Sequence, residues 1–226
     1  MNWTIIIFAF NEAGSIEATV NSSLAFLSSY ASEYELIVVD DGSTDNTPIV
    51  CSQLLKSHPY IRVIRQNINQ GIGMALKTGY NAAQYDFVCA LPGDGQFNPE
   101  ELRAIKPFGS DKFYSYYRTS FNYTLYRQLL TTLNRSFNRW FLGLRLRDVN
   151  WIKVYKLDQL KLASPKFSSS LIESEICAKL ISLGCTPIEL PSKYGERKHG
   201  VAKGGRWATV KRALKEMPRL YLQSNK

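Results

Sequence analysis

Histidine is almost missing from this sequence: His58 and His199 are the only two in 226 residues, which excludes a metal centre built from histidines. Cysteine is also sparse. Cys51, Cys89, Cys177 and Cys185 form neither a CxxC pair nor any ligand spacing, and Cys89 lies inside an apolar run, so buried, reduced thiols are expected. No hydrophobic run approaches the roughly 18 residues a membrane-spanning helix needs. The opening MNWTIIIFAFNEAG lacks the basic n-region and cleavage site of a signal peptide, so the chain reads as cytoplasmic. Low-complexity linkers and internal repeats are absent too. With 45% hydrophobic and 12% aromatic residues, the length suits one well-cored domain with at most a small appendage.

Acidic residues are scarce where basic ones concentrate. From Lys193 onward there are ten Lys or Arg against Glu196 and Glu216, a local +8 of the total +9, which leaves about +1 for the first 192 residues. The basicity is therefore a C-terminal feature, suited to nucleic acid, anionic lipid or a phosphorylated substrate, or simply to solubility.

The first half alternates short β-branched runs with helical patterns. TIIIFAF (4–10), YELIVVDD (34–41), YIRVIRQ (60–66) and DFVCALP (86–92) are each followed by an amphipathic stretch, the last being PEELRAIKPF. Continuous apolar strands alternating with helices predict a mostly parallel sheet covered on both faces. Ligands of such sheets sit beyond the carboxyl ends of the strands. Those ends carry Asn11-Glu12, Asp40-Asp41-Gly42-Ser43, Asn69-Gln70-Gly71 and Asp94-Gly95-Gln96, so polar groups are expected along one edge. Each segment has a plainer reading. Asp41 to Asp45 is equally a turn with Asp45 capping the next helix. Gly71-Ile72-Gly73 lacks the third glycine of the dinucleotide fingerprint and follows the wrong strand, which argues against a dehydrogenase.

Taken together, IIIFAFNEAGSI, ELIVVDDGSTDNT, NQGIGMALKTGYNAA and GDGQFNPEEL, in this order, resemble the family-2 glycosyltransferases of GT-A fold. The likeness is greatest to the polyprenyl-phosphate, dolichol-phosphate mannose synthase-like sugar transferases, and the later IESEICAKLISLGCTPIELPSKYGERKHGVAKGG is similar to their segment ending in an arginine, a glycine and a basic residue. The resemblance implies a GT-A domain over 1–203 that binds a nucleoside-diphosphate sugar through Phe10, Asn11, Glu12, Asp41, Asn69, Gly71 and Asp94. Asp41 would meet the base or ribose. Asp94, supported by Gln96, would hold Mg²⁺ or Mn²⁺ on the diphosphate. Two positions depart from the pattern: Pro92 stands where such enzymes usually carry the first aspartate of Asp-x-Asp, and Phe8 stands where proline is common. One carboxylate is compatible with a metal that draws its other ligands from substrate oxygens and water.

In TLYRQLLTTLNRSFNRWFLG, Arg127, Thr131, Arg135 and Arg139 fall four apart on one helical stripe, and Leu130, Leu133, Phe137 and Phe141 form another. A solvated basic face and a phosphate site both fit. The resemblance implies that Arg127, Thr131 and Arg197 hold the phosphate of a polyprenyl-phosphate acceptor, and it sets Arg118 and Asp148 beside Asp94 in the catalytic group. For Asp148 a salt bridge to a neighbouring arginine is the alternative. A phosphate oxygen is ionised at neutral pH and needs no general base, in keeping with the lack of histidine. A hydroxyl acceptor would instead demand a catalytic carboxylate, Asp148 or Glu175. A non-catalytic nucleotide-sugar-binding protein is the remaining reading, while a nucleic-acid partner is excluded by aspartates that would repel its phosphates. Residues 204–226, with Trp207, Val210, Leu214 and Met217 at helical spacing among basic residues, read as an amphipathic helix either touching a membrane surface or packing on the core.

Overall fold

The computed structural model describes residues 1–119, 125–197, 211 and 215–220, with the backbone alone over 125–130. Strands β1 (Trp3–Ala9), β2 (Tyr34–Asp40), β3 (Ile61–Arg65) and β4 (Phe87–Pro92) alternate with helices α1 (Ile16–Tyr30), α2 (Thr47–Ser57) and α3 (Ile72–Ala82). Beyond them follow β5 (Lys112–Arg118), α4 (Leu125–Phe141), β6 (Lys153–Lys156), α5 (Leu157–Ala163), α6 (Ile172–Ser182) and β7 (Thr186–Ser192). The strands form a seven-stranded sheet in the order β3-β2-β1-β4-β6-β5-β7. All pairings are parallel except those of β6, which runs against both β4 and β5.

The apolar runs become strands because both faces of the sheet are covered. Ile5, Ile7, Leu36, Val38, Cys89 and Leu91 point to one side and bury against Val20 and Leu27 of α1. Ile6, Ile37, Val39, Val88 and Ala90 point to the other and meet Leu76 and Tyr80 of α3 and Ile176 of α6. Successive residues thus alternate between two cores, which fixes the register of β1 against β2 and β4, since a one-residue slip would exchange the two sets. The stretch PEELRAIKPF forms a short 3₁₀ helix, Pro99–Ala104, and no longer α-helix. Asn98 caps it by accepting the Glu100 N–H, and Pro107 disfavours helical geometry at Lys106 before a further turn can form.

Behind the sheet, the buried Glu173 carboxylate accepts hydroxyl hydrogens from Tyr80 and Tyr155. Burial raises its pKa, an effect that nearby Lys153 and the two phenols oppose. Of the C-terminal stripe, Trp207, Val210 and Leu214 lie outside the described residues. Met217 and the buried Leu220 pack with Phe137 of α4 and with Phe167 and Leu171.

Helix α3 carries a glycine where it touches the segment leading into α6. A Cβ on Gly73 would stand 2.1 Å from the carbonyl oxygen of Ser169 and 2.3 Å from that of Ser168. Both obstacles are backbone, so Gly73→Ala is expected to lower stability by about 1–3 kcal/mol. Urea unfolding checks this: the midpoint should fall with an unchanged slope.

Candidate active site

Every parallel strand delivers its carboxyl end to one edge, and the loops there are joined by side chains rather than by backbone ladders. Asn11, with φ of 52°, turns the chain out of β1 in the left-handed conformation that asparagine tolerates. Its backbone N–H donates to Ser43 and its side-chain oxygen accepts the Thr44 N–H. Glu12 N–H donates to Thr47, and Asp45 accepts both the N–H and the hydroxyl of Thr47 at the start of α2. Asn46 takes the cap position of α2 and makes no side-chain cap bond, so Asp45 fastens the turn before the helix through Thr47.

The paired aspartates after β2 have separate tasks. Buried Asp40 accepts the Ser43 N–H and stands 3.3 Å from Arg65 Nε. Asp41 spans to the loop after β3, accepting from Asn69 Nδ2 at 2.9 Å and from the backbone N–H groups of Gln70 and Gly71 at 2.8 Å each. Gly42 lies between them at φ of 69°, where a Cβ would strike the Ile68 carbonyl carbon at 2.4 Å. Asp41, Asn69 and Gly71 are thus one unit, with the carboxylate ordering the loop.

At the end of β4, Asp94 is buried; one oxygen accepts the Gln96 N–H and the other meets a guanidinium nitrogen of Arg197 at 2.5 Å. The neighbouring nitrogen of Arg197 lies 3.2 Å from buried Glu12, which also accepts the Ser15 hydroxyl. Arg197 thereby bridges the loops after β1 and β4 from a segment that follows β7. Gln96 holds that segment in place: its amide donates to the Gly195 carbonyl, and its side-chain oxygen accepts from Tyr194 Oη. Burial raises the Asp94 pKa, while Arg197 and the Gln96 N–H pull it down and Glu12 pushes it up.

The other half of the edge centres on Arg118, at the end of β5. Its guanidinium makes a two-pronged pair with Asp148, 2.7 and 3.1 Å, and lies over the rings of Trp151 and Tyr194. The salt bridge of Asp148 to a neighbouring arginine is therefore formed. Lys153 at the start of β6 is buried with its ammonium donating to the carbonyls of Asp148, Val149 and Trp151, so a cation braces the loop that presents Asp148. Phe97 packs edge-on against Trp151, and Trp151 against Tyr194, which joins the Asp94 loop to the Arg118 pair.

The structure therefore brings Glu12, Asp94, Gln96 and Arg197 together, and likewise Asp41 with Asn69 and Gly71, and Arg118 with Asp148. Phe10 is half-buried just beyond β1, next to Asn11. Thr131 is exposed on α4, and the Arg127 side chain lies outside the described residues. Sequence reasoning missed Tyr194, Trp151 and Lys153. The aromatic residues stand beside motif positions, but their ring contacts depend on β5, β6 and β7 assembling, and Lys153 looks like any basic residue before a strand. Among the described residues, no group of three His, Cys, Asp or Glu is arranged to hold a metal ion.

The profile of glycosyl transferase family 2 matches residues 4–151, about two thirds of the chain. The chain belongs to this family. Among curated family relatives, a dolichyl-phosphate beta-glucosyltransferase of Trichomonas vaginalis is 31% identical over 108 residues, covering 46% of this chain and 32% of that protein. An undecaprenyl-phosphate 4-deoxy-4-formamido-L-arabinose transferase of Edwardsiella ictaluri is 25% identical over 208 residues, covering 89% and 62%. Relative to the first, this family-2 chain spans about a third of the length. Among solved structures, glucosyl-3-phosphoglycerate synthase from Mycobacterium tuberculosis in complex with UDP superposes with a TM-score of 0.68 over 99% of this chain and 79% of that one, at 19% identity, which establishes the GT-A fold. The same enzyme has also been crystallised with Mn²⁺, UDP-glucose and phosphoglyceric acid.

Asp41→Asn keeps the shape but sets an amide N–H₂ against donors that need an acceptor. The expected cost is about 1–3 kcal/mol. Hydrogen exchange at the Gly71 amide should accelerate well beyond the global change if Asp41 orders this loop, and an unaltered Gly71 rate would show that it does not.

Proposed function

We propose that this family-2 chain is an inverting glycosyltransferase that moves a sugar from a nucleoside-diphosphate sugar to a polyprenyl, dolichyl-type phosphate. The observation that carries the reading is the arrangement of arginines beside the donor carboxylate: Arg197 against Asp94, and Arg118 on the same edge, coupled to the Asp94 loop through Tyr194. An acceptor that arrives as an anion needs a positive group next to the diphosphate, and arginine has the geometry suited to phosphate oxygens; in the ligand-free protein each of these arginines is held by carboxylates that an arriving phosphate would replace. The relatives named for dolichyl and undecaprenyl phosphate support the same acceptor class.

The donor occupies the half of the edge formed by β1 to β4. Phe10, Asn11, Asp41, Asn69 and Gly71 shape the nucleotide side, and Asp41 acts there largely by holding the 69–71 loop. Asp94 fits a hard divalent ion, Mg²⁺ or Mn²⁺: its buried carboxylate already faces a cationic group, and such ions use one or two protein carboxylates with substrate oxygens and water for the rest. That ion would supply charge stabilisation to the departing nucleoside diphosphate. Gln96 serves by fixing the Asp94 turn and the 194–195 segment, since both ends of its amide are engaged. Arg127, Thr131 and Arg197 would take the acceptor phosphate, and Arg118, held by Asp148, adds a further positive group near it.

A hydroxyl acceptor would require a poised general base. Asp148 directs both oxygens to Arg118. Glu175 is fully buried on α6 and accepts from the backbone of Lys166 and Phe167 and from the Lys179 ammonium, so a hydroxyl acceptor would need one of these carboxylates released from its present partners. His58, the described histidine, follows α2 and lies away from the strand ends. A phosphate acceptor, already ionised, needs no base, and the sugar inverts in a single in-line displacement. Membrane contact through 204–226 would bring the site to its lipid; no described helix is long and apolar enough to cross a membrane.

Transfer assayed over a panel of nucleotide sugars with a polyprenyl phosphate, with and without Mn²⁺ or Mg²⁺, tests the reading. Transfer to glycan hydroxyls and none to lipid phosphate would overturn it. Arg127→Ala is expected to lower lipid-phosphate transfer about 10- to 150-fold, the equivalent of a lost charge-assisted bond of about 1.5–3 kcal/mol, while donor affinity stays within about twofold. The pH dependence has a definite sign. Because burial raises the Asp94 pKa above its ordinary 3.8, the folded protein holds that proton more tightly than the unfolded chain does. Its charged form therefore costs stability at neutral pH, a cost that shrinks once the pH falls below the raised pKa and is gone below the ordinary carboxylate value. Metal-dependent nucleotide affinity should weaken on acidification as Asp94 takes up its proton, which calorimetry over a pH series checks.

A further inference from the structure

Arg197 sits in a place that acceptor binding alone does not explain. Its two terminal nitrogens are divided between two buried carboxylates, Glu12 at 3.2 Å and Asp94 at 2.5 Å, and the arginine itself is largely buried. The segment that carries it is not loosely laid down. Gly195 N–H donates to the Gln96 carbonyl, Gln96 Nε2 donates back to the Gly195 carbonyl, and Tyr194 Oη donates to Gln96 Oε1. The Asp94 turn and the Arg197 segment are thus one clamped unit, and the guanidinium meets the side chain assigned above to the cation of the donor.

Two buried anions facing each other require a cation between them, and in the ligand-free protein that cation is supplied by the chain. The same carboxylate cannot give one oxygen fully to a guanidinium and to a divalent ion. The two carboxylates are engaged alike, each with one oxygen on Arg197 and the other on a neighbour, the Ser15 hydroxyl for Glu12 and the Gln96 N–H for Asp94. Asp94 is the one assigned above to the metal, so an Arg197 displaced there keeps Glu12 as its partner.

We propose that Arg197 is a latch on the donor site: it neutralises Asp94 and Glu12 until a metal-bound nucleoside diphosphate takes Asp94, and it then pivots on Glu12 to receive the acceptor phosphate. Glu12 is on this account a positioning residue for Arg197. The consequence is an order of binding, donor before acceptor, because the arginine that holds the acceptor is engaged elsewhere until the donor arrives. The latch rests on the donor and acceptor assignments under Proposed function, and its test separates the two.

Mn²⁺ is titrated by calorimetry into the protein with UDP and, in parallel, with GDP. Arg197→Ala and Arg197→Gln remove the internal competitor and are expected to tighten Mn²⁺-nucleotide binding about tenfold or more, as expected for release of a charge-assisted contact. Glu12→Gln leaves the guanidinium to Asp94 and should weaken binding several-fold, and Glu12→Gln combined with Arg197→Ala should restore the tight value. The KM for polyprenyl phosphate should rise in both Arg197 variants even as donor affinity improves. Structural damage does not move those two quantities in opposite directions. Equal or weaker Mn²⁺-nucleotide binding in both Arg197 variants, with the thermal midpoint retained, would overturn the latch. Binding of neither nucleotide to wild type or variants would instead remove the donor-site reading, and the latch with it.

Discussion

Four carboxylates, Glu12, Asp40, Asp41 and Asp94, are buried along one edge of a single sheet, and the need to satisfy them organises everything near that edge. An uncompensated buried charge costs several kcal/mol, so each must find donors or a cation. Asp40 reaches back to Ser43 and across to Arg65, Asp41 gathers the N–H groups of the 69–71 loop, and Glu12 and Asp94 share Arg197. The loops after four different strands become mutually dependent as a result. The loops along this edge are preorganised by the same network that makes burial of these groups tolerable.

The two halves of the edge differ in electrostatic character. The β1 to β4 half is built from anions that recruit donors. The β5 to β7 half is built around cations: Arg118 embraced by Asp148 and two aromatic faces, and Lys153 sunk among three carbonyls. The contact between the halves runs through Tyr194 and Arg197, both contributed by the segment after β7.

The first half of the fold was legible because its signals are local. Runs such as IIIFAF and LIVVD lie in both cores, and each apolar run is separated from the next by one helix, so the parallel sheet and its ligand edge follow from periodicity. Asp41, Asn69, Gly71 and Asp94 stand at strand ends that the pattern itself locates. The second half gave weaker signals. β6 has four residues, and β7 contains two prolines, Pro187 and Pro191, so neither reads as a strand by propensity. Both exist because tertiary pairing supplies what propensity does not. The contact between Arg197 and Asp94 joins residues 103 positions apart and has no local signature at all. The salt bridge of Asp148 to Arg118 depends on β5 and β6 being brought side by side, which no local pattern announces.

The antiparallel strand β6 has a consequence for how the protein assembles. The order β3-β2-β1-β4 closes entirely within residues 3–92, with α1, α2 and α3 making the crossovers, the last of which carries the chain from β3 past β2 and β1 to β4. The next strand in space, β6, is not the next in sequence: the chain passes through β5 and α4 before residues 153–156 return to pair with β4. Loop-closure entropy makes such a return slow compared with pairings between adjacent elements. The β1 to β4 half can therefore form while the far half is still unpaired, and the edge of β4 stays open until β6 arrives. During synthesis that edge emerges before the strand that covers it, so the step that completes the β5 to β7 half is also the step that shields this edge from pairing with its neighbours.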